Sequence, residues 1–510
     1  MITLNWQDER VRTFLPYVAG AFAGLLAGFV VATSNFALVA LLGAMACGSV
    51  IALYPVAIFW VTLLVSFVLS GLAQLYYPQL ELIRWAVLPL GFLLLGYIFV
   101  QSLAANPNLE VRRQPNALVF LLCTFLIVNM LPWFLNPLSF SDFFVGFKGY
   151  FQMWGFMFGM CLLAWDQKMM RDTLPKAIFV LALIQIPFAL HQYVFIAPLR
   201  EHGVEKGVVP LDIVTGTFGG QKLGGGANAV LAVFLLAVWA CVLGVWKKQR
   251  LNTFWLVLIS AGLLLPVMIN EAKVSIIYAV VVFFVIFRKG VFQNIGRFLT
   301  VTALVFAMVA ALFSTYISHA PAGAASSWTG LITYTIEYNI NKQEETDGKL
   351  TRGASINLWF DRHGDMAHTL LGYGVGTSRV EKHNHLARAI GIKEPQDTGV
   401  GKLGAIAVLW ESGLIGFLII SSAFGVAFYY ACQLEKTYSR DGWLSGIFVG
   451  LQGAIVILYI SMWHKNFFIL HIGYQAIYTT LFGFLIYWRK AKVPDFEEAD
   501  EQEELIRLPK

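Results

Sequence analysis

The sequence is poor in charge and has few cysteines. Of its 510 residues only 13% are charged, 58% are hydrophobic, and the mean hydropathy is +0.68. A soluble protein of this length would lack the polar residues needed to cover its surface, so the composition indicates an integral membrane protein. The five cysteines lie in apolar runs without a Cys-x-x-Cys pair. We interpret them as small core residues rather than disulfides, zinc ligands or nucleophiles.

Other common signals are also missing. No cleavable signal peptide is evident, since residues 1–14 are polar and the apolar run that follows is long enough to be a signal anchor and first span. The His-Glu-x-x-His zinc motif is absent. Gly401-Lys402 is followed by Leu403, so the chain has no nucleotide-binding P-loop there.

Long apolar runs predict an all-α integral membrane protein. A span needs roughly 20 apolar residues, which gives about 12–14 transmembrane helices, and lipid cannot satisfy the free backbone groups of other structures. The stretches Phe36–Tyr76 and Thr253–Phe287 fit either a helical hairpin or one long span with a re-entrant piece. The candidate spans are 15–33, 36–54, 55–76, 82–104, 115–135, 143–165, 175–197, 226–246, 253–270, 272–287, 297–318, 404–432, 443–463 and 467–488.

Basic clusters fall on one side of the membrane if these spans alternate. The clusters are at residues 10–12, 112–113, 168–176, 247–250, 288–297, 436–440 and 489–492. Short basic loops mark the cytoplasm, so both termini are expected there. The predicted parts are an N-terminal transmembrane bundle (1–318), an extracytoplasmic loop carrying short helices (319–403), C-terminal transmembrane helices (404–488) and an acidic cytoplasmic tail (489–510).

Three polar features then share the outer face: the loop 198–225, the turn 271–273 and the segment 319–403. The last of these is too polar to lie in the membrane, and loops of this length carry function or lack fixed structure. Its cations are Arg352, Arg362, Arg379, Lys382, Arg388, Lys393 and Lys402. They fit either a solvated cap or a binding site for a lipid-linked phosphate or diphosphate.

Histidines and glycines in these loops admit several interpretations. His363, Asp365 and His368, or His383 with His385, are candidate metal ligands, but their spacing fits no strong zinc pattern. The glycines at 219–226 and 372–376 fit flexible turns or a backbone cradle for phosphate. Glu271 and Lys273 interrupt an apolar stretch, which suits a functional site or simply the outer end of a hairpin.

The segment LLGYGVGTSRVEKHNHLARAIG and the later LGAIAVLWESGLIGFLII resemble the signature region of the O-antigen ligase and O-antigen polymerase superfamily. That signature has a Gly-x-Gly turn, then His-Asn, then a helix with Glu-x-Gly; the matching residues here are Gly374, Gly376, His383, Asn384 and Glu411 through Gly416. Upstream, Thr215–Phe218 and Asn228 resemble the family's Gly-Thr-Phe segment. Lys273 stands where the family usually has arginine. The resemblance spans residues 175–435.

The resemblance implies a bacterial inner-membrane glycosyltransferase that works outside the cytoplasm, without metal or cofactor. Its donor would be an undecaprenyl-diphosphate-linked oligosaccharide in the lipid bilayer. The glycan acceptor would be a lipid A-core sugar for a ligase or the next repeat unit for a polymerase, and a chain-length regulator is a candidate partner. His383-Asn384-His385 also spells a nuclease-like string, but the chain lacks the soluble ββα context, so no nucleic-acid partner is expected.

This activity suggests a role for each motif residue. A neutral imidazole with a pKa of about 6.5 suits a general base that activates the acceptor hydroxyl; His383 is the first candidate and His385 the second. Fixed cations would stabilise the leaving diphosphate. The candidates for this task are Lys273, Arg379, Lys382 and Lys402, with Asn384, Glu411 and Thr217 in support. A transporter or flippase for the same lipid-linked glycan, or a structural assembly partner, is the alternative, although the sequence has no two-fold internal repeat.

Overall fold

The computed structural model describes residues 54–103, 116–136, 140–163, 165–201, 210–220, 227–270, 272–288, 350–362, 365–378 and 400–491, with isolated positions at 296, 299, 300, 303, 307 and 333. The chain divides into two compact units, residues 1–62 and 63–510. The predicted spans 15–33, 36–54 and 297–318 lie almost wholly outside the described residues.

The described residues form helices without a β-strand, which confirms the predicted all-α integral membrane fold. The helices are α1 (Pro55–Tyr76), α2 (Val87–Leu103), α3 (Ala117–Leu135), α4 (Phe140–Phe151), α5 (Trp154–Leu162), α6 (Met169–Leu199), α7 (Asn228–Lys247), α8 (Thr253–Ile269), α9 (Val274–Phe287), α10 (Arg352–Arg362), α11 (Met366–Leu371), α12 (Gly404–Thr437), α13 (Gly442–Ser461), α14 (Phe467–Leu470) and α15 (Ile472–Lys490).

Within the described ranges, seven helices are long and apolar enough to cross a membrane. They are α1, α3, α6, α7, α12, α13 and the segment Pro78–Phe99, which contains a 3₁₀ turn and most of α2. Each coincides with a predicted span. Helices α8 and α9 are apolar but shorter, and the stretch Thr253–Phe287 is therefore two helices separated at residues 270–273.

Two other predicted spans are interrupted. The run 143–165 forms α4 and α5 with a turn at Gln152 and Met153, and the run 467–488 forms α14 and α15 with a break at His471. The buried Gln152 side chain donates a hydrogen bond to Gln475 Oε1 over 2.8 Å. This amide pair supplies polar partners inside an otherwise apolar region, where an unpaired amide would be costly.

Helices α7 and α13 form the antiparallel centre of the bundle. A β-carbon on Gly244 would lie 2.1 Å from Gly446 O, and one on Gly450 would lie 2.2 Å from Cys241 Cα. Glycine at these positions lets the two backbones approach closely, as small residues do between membrane helices. Because the end of α7 meets the start of α13, the start of α7 lies with the end of α13.

The basic loops lie at one end of this bundle, where ion pairs and hydrogen bonds join them to the helices. Lys248 lies 3.2 Å from Glu435, Arg171 lies 2.7 Å from Asp441, and Arg288 donates to Gln452 over 2.7 Å. The opposite end of the bundle holds the starts of α7, α9, α12 and α15 and the ends of α8 and α13. The polar motifs of the sequence lie at this second end.

Candidate functional site

Two glutamines from α6 hold the Gly-Thr-Phe segment in a non-helical conformation. Gln192 Oε1 accepts hydrogen bonds from the backbone N–H groups of Thr215 (2.8 Å) and Gly216 (2.7 Å), and its Nε2 donates to Gly216 O (2.6 Å). Gln185 Oε1 accepts from Thr217 N over 2.8 Å. Gln192 begins a π-helical turn, Gln192–Ile196, a distortion often found at functional sites. The paired amides replace the hydrogen bonds that a helix would have supplied.

Thr217 is fully buried and fixes the segment to α1. Its hydroxyl donates to Phe67 O over 2.5 Å, within a second π-helical turn, Val65–Leu69, and accepts from Gln185 Nε2 over 2.8 Å. Gly71 allows this approach, since a β-carbon there would lie 2.1 Å from Thr217 O. The described contacts therefore make Thr217 a structural anchor of the segment, with its hydroxyl engaged by protein groups.

Asn228 and Asn270 couple this segment to the turn that carries Lys273. Each asparagine donates from its side chain to the backbone oxygen of the other over 3.0 Å, and Asn228 also donates to Asp212 Oδ1 over 2.9 Å. The Oδ1 of Asn270 accepts from Ala272 N over 3.0 Å, which shapes the turn. Lys273 follows, half-buried, directly before α9. Two motif residues from different parts of the sequence, Asn228 and Lys273, are thus connected through one buried pair.

Helix α12 is broken where the Glu-x-Gly motif lies. Gly413 has φ 64° and ψ −172°, so the regular hydrogen bonding stops there. The loop Gly372–Ser378 pairs with the break: Tyr373 N donates to Trp410 O over 2.8 Å and Gly374 N donates to Glu411 O over 2.9 Å. Carbonyl groups released by a break in a membrane helix need such partners, because lipid offers none.

The glycines of both motifs are required by this contact. A β-carbon on Gly372 would lie 2.5 Å from Glu411 O, and one on Gly413 would lie 2.3 Å from Leu370 O. Both glycines have positive φ, at 79° and 64°. Gly146 of α4 approaches the other side of the loop, where a β-carbon would lie 2.4 Å from Val375 O. Gly372 and Gly413 are therefore closely packed parts of the break.

The Glu411 side chain fastens the end of this loop. Glu411 is fully buried, and its Oε1 accepts hydrogen bonds from Ser378 N (3.1 Å) and Ser378 Oγ (2.5 Å). Its Oε2 has no hydrogen-bond partner among the described residues. The next residue, Ser412, donates to Asn129 of α3 over 2.6 Å. Since a buried carboxylate is costly without such bonds, Glu411 and Ser378 must stay together.

Lys402 lies just before α12 and follows Gly401, which packs against Ser378. Its half-buried ammonium group donates to Leu350 O over 3.2 Å. The turn after α13 packs against the same region, since Asn466 Nδ2 donates to Gly401 O over 2.8 Å and Ala405 N donates to Met462 O over 2.9 Å. The turn at 462–466 is therefore part of the polar end of the bundle.

Sequence reasoning missed this turn as a functional candidate. Arg352 Nε donates to His464 O over 3.0 Å, and Lys465 is the next residue. Burial, with the nearby positive charges of Arg352 and Lys465, holds the pKa of His464 well below its usual value. The available signal was His464-Lys465 interrupting two apolar runs, the same pattern that singled out Lys273.

The remaining predicted site residues, Arg379, Lys382, His383, Asn384 and His385, lie outside the described residues. Of the residues weighed as metal ligands, Asp365 and His368 bind each other at 2.7 Å, and the hydrogen bonds from His368 lower the pKa of the exposed Asp365. Within the described ranges, no group of three or more His, Cys, Asp or Glu side chains is placed to hold a metal ion.

An apolar cavity of about 260 Å³ runs beside α7 from this end toward the basic end. Phe67 and Phe234 line it close to the Gly-Thr-Phe segment, with ring centroids 6.2 Å and 5.4 Å from that of Phe218. Trp443 and Phe484 line it farther along. Its walls come mainly from α6, α7, α13 and α15, and they are almost wholly apolar.

No protein-family model matches this chain, and no curated protein sequence matches it significantly. The observations that bear on its function are therefore the order of its motifs and the contacts between them. These contacts join the Gly-Thr-Phe segment to the Lys273 turn, and the Gly-x-Gly loop to the broken helix.

Proposed function

We propose that this protein transfers a glycan from an undecaprenyl-diphosphate-linked donor to a sugar acceptor, as an O-antigen or exopolysaccharide ligase or polymerase. The main support for this proposal is that motif residues from separate parts of the sequence lie together at the end of the bundle opposite the basic loops. If those loops face the cytoplasm, the site faces outward from a bacterial inner membrane. A lipid-linked sugar would meet it at the membrane surface.

In this reaction the acceptor oxygen bonds to the anomeric carbon of the donor sugar, and the bond from that carbon to the diphosphate oxygen breaks. His383 takes the proton of the acceptor hydroxyl, and His385 is the second candidate for this role. Lys273, Arg379, Lys382 and Lys402 stabilise the charge that develops on the leaving diphosphate. The scheme needs no metal or cofactor.

Lys273 is the diphosphate ligand for which the described contacts give most support. The Asn228–Asn270 pair fixes its turn to the Gly-Thr-Phe segment, so its position depends on two buried hydrogen bonds rather than on a loose loop. Lysine keeps the positive charge of the family's usual arginine, although it loses the bidentate geometry of a guanidinium group. The apolar cavity beside α7 is a fitting place for part of the donor's polyprenyl chain, because it starts next to Phe218.

The direct test uses purified protein in lipid nanodiscs with a lipid-linked oligosaccharide and follows product size. Longer chains identify a polymerase, and a labelled lipid A-core identifies a ligase. We expect His383→Ala to abolish transfer in protein that inserts normally, and undiminished transfer would refute the assignment of the base. Lys273→Met should weaken donor affinity, whereas Lys176→Met, at an exposed site at the basic end, is the matched control.

A transporter or flippase of the same lipid-linked glycan is the second candidate. The breaks in α12 at Gly413 and between α8 and α9 favour it, since transporters bind substrates at discontinuous helices. The nanodisc assay separates the two activities. Movement of the labelled donor between leaflets without a new glycan product would support transport and count against transfer.

A further inference from the structure

Four residues from three separate parts of the chain form a cationic cluster at the outward end of the bundle. Arg352, the first residue of α10, donates through Nε to His464 O over 3.0 Å. Lys465 follows His464, with its ammonium group 5.7 Å from the centre of the Phe467 ring. Tyr278 lies in the second turn of α9, the helix that packs along α13 and begins at this end of the bundle. The cluster therefore lies between α9, α10 and the turn after α13.

Two polar atoms in the cluster are buried without a partner among the described residues. Tyr278 is fully buried, and its hydroxyl makes no hydrogen bond there; the same is true of His464 Nδ1. A buried donor left without an acceptor costs about 1–3 kcal/mol, so native proteins seldom keep one without a reason. An anion with several acceptor oxygens would give both of these groups a hydrogen-bond partner beside the two cations.

We infer that Arg352, Lys465, the Tyr278 hydroxyl and the His464 imidazole bind an anion of the phosphate or diphosphate class. Phosphate oxygens accept hydrogen bonds from guanidinium, ammonium, hydroxyl and neutral imidazole donors alike. The chosen class rests on the proposed function, since the donor's diphosphate would reach this end of the bundle. Tyr278, His464 and Lys465 lie outside the motifs from which that function was argued, and Arg352 is one of the loop cations named with them.

The electrostatics of His464 agree with this role. Burial and the two neighbouring cations keep the pKa of His464 well below its usual value, so the imidazole is neutral near pH 7. A neutral ring can donate through Nδ1 while adding no third charge to a half-buried site. The positive charge of the cluster therefore resides on Arg352 and Lys465, whose long side chains can adjust to the phosphate oxygens.

The test measures binding to purified wild-type protein in nanodiscs of zwitterionic lipid, with three probes: farnesyl diphosphate, inorganic diphosphate and farnesol. We expect Arg352→Gln and Lys465→Gln each to weaken diphosphate binding by about tenfold to a hundredfold, the effect of losing one charge-assisted hydrogen bond. Arg362→Gln, at the exposed far end of the same helix, is the matched control and should bind as the wild type does. Tyr278→Phe removes only the hydroxyl, keeps the packing of α9, and should weaken binding about tenfold.

The outcomes separate diphosphate binding at this cluster from glycan transfer by the protein. Binding of farnesyl diphosphate alone supports a lipid-linked anion, and equal binding of inorganic diphosphate supports a site for the diphosphate group itself. Unchanged diphosphate affinity in folded Arg352→Gln, Lys465→Gln and Tyr278→Phe proteins would overturn the inference, as would equal binding of farnesol. If the wild type binds diphosphate at this cluster but transfers no glycan, only the proposed function fails.

Discussion

The contact between Ser378 and Glu411 gives the sharpest prediction of stability. Ser378→Ala removes the 2.5 Å hydrogen bond from the hydroxyl to Oε1 and leaves the 3.1 Å bond from the backbone N–H. Removing one partner of a buried hydrogen bond costs about 1–3 kcal/mol, and both residues are buried, so solvent cannot replace the lost donor. We expect the free energy of unfolding to fall by about 2 kcal/mol.

The assay is reversible unfolding of the purified protein in mixed dodecyl maltoside and dodecyl sulfate micelles, followed by tryptophan fluorescence. Ser439→Ala, at an exposed turn, removes the same hydroxyl without this contact and should change stability by less than about 0.5 kcal/mol. A double-mutant cycle with Glu411→Leu, which removes the acceptor, should give a coupling energy of about 1–2 kcal/mol. Additive effects, or a Ser378→Ala protein as stable as the control, would refute the reasoning.

Three further substitutions test other parts of the polar end. Asn270→Ala should lower stability by about 2 kcal/mol in the same micelles and raise the donor KM, because it loosens the turn that carries Lys273. Gly413→Ala should abolish folded protein on size-exclusion chromatography, since its backbone conformation is accessible essentially only to glycine, whereas Gly425→Ala, with open space around it, should fold normally. Ala454→Phe should fill the apolar cavity and weaken farnesyl diphosphate binding while leaving inorganic diphosphate binding unchanged; equal loss of both would argue against a chain-binding cavity.

Hydropathy was sufficient to predict most of the described helices. The run 226–246 predicted α7 (Asn228–Lys247), and 443–463 predicted α13 (Gly442–Ser461), because charged or glycine-rich segments bound both runs. The break between α4 and α5 was not predictable in this way. Its polar residue, Gln152, is satisfied by Gln475, more than three hundred positions away, and a local window contains no information about such a partner.

The site was predictable in its location and less so in its contacts. Alternating spans and basic loops predicted that the segment 198–225, the Lys273 turn and the long loop share one end. The described contacts of Thr217, Asn270 and Glu411 agree with that grouping. The Asn228–Asn270 pair was not predicted, because Asn270 reads only as the end of an apolar run. His464 was missed for a similar reason: its neighbour Arg352 lies over a hundred positions earlier in the sequence.

The close approach of Ser378 to Gly401 has a consequence for how this protein can vary. A β-carbon on Gly401 would lie 2.7 Å from Ser378 O, so the chain leaves the helical body and returns to it at almost the same point. Lengthening a segment whose ends are held together costs only about 0.6 kcal/mol for each doubling of its length. The entropic cost of changing the number of residues between Ser378 and Gly401 is therefore small beside the loss of the Ser378–Glu411 hydrogen bonds. Exchanging the sequence between these two residues, with the Ser378–Glu411 and Gly401 contacts kept, is a practical way to compare acceptor use under the proposed function on one membrane scaffold.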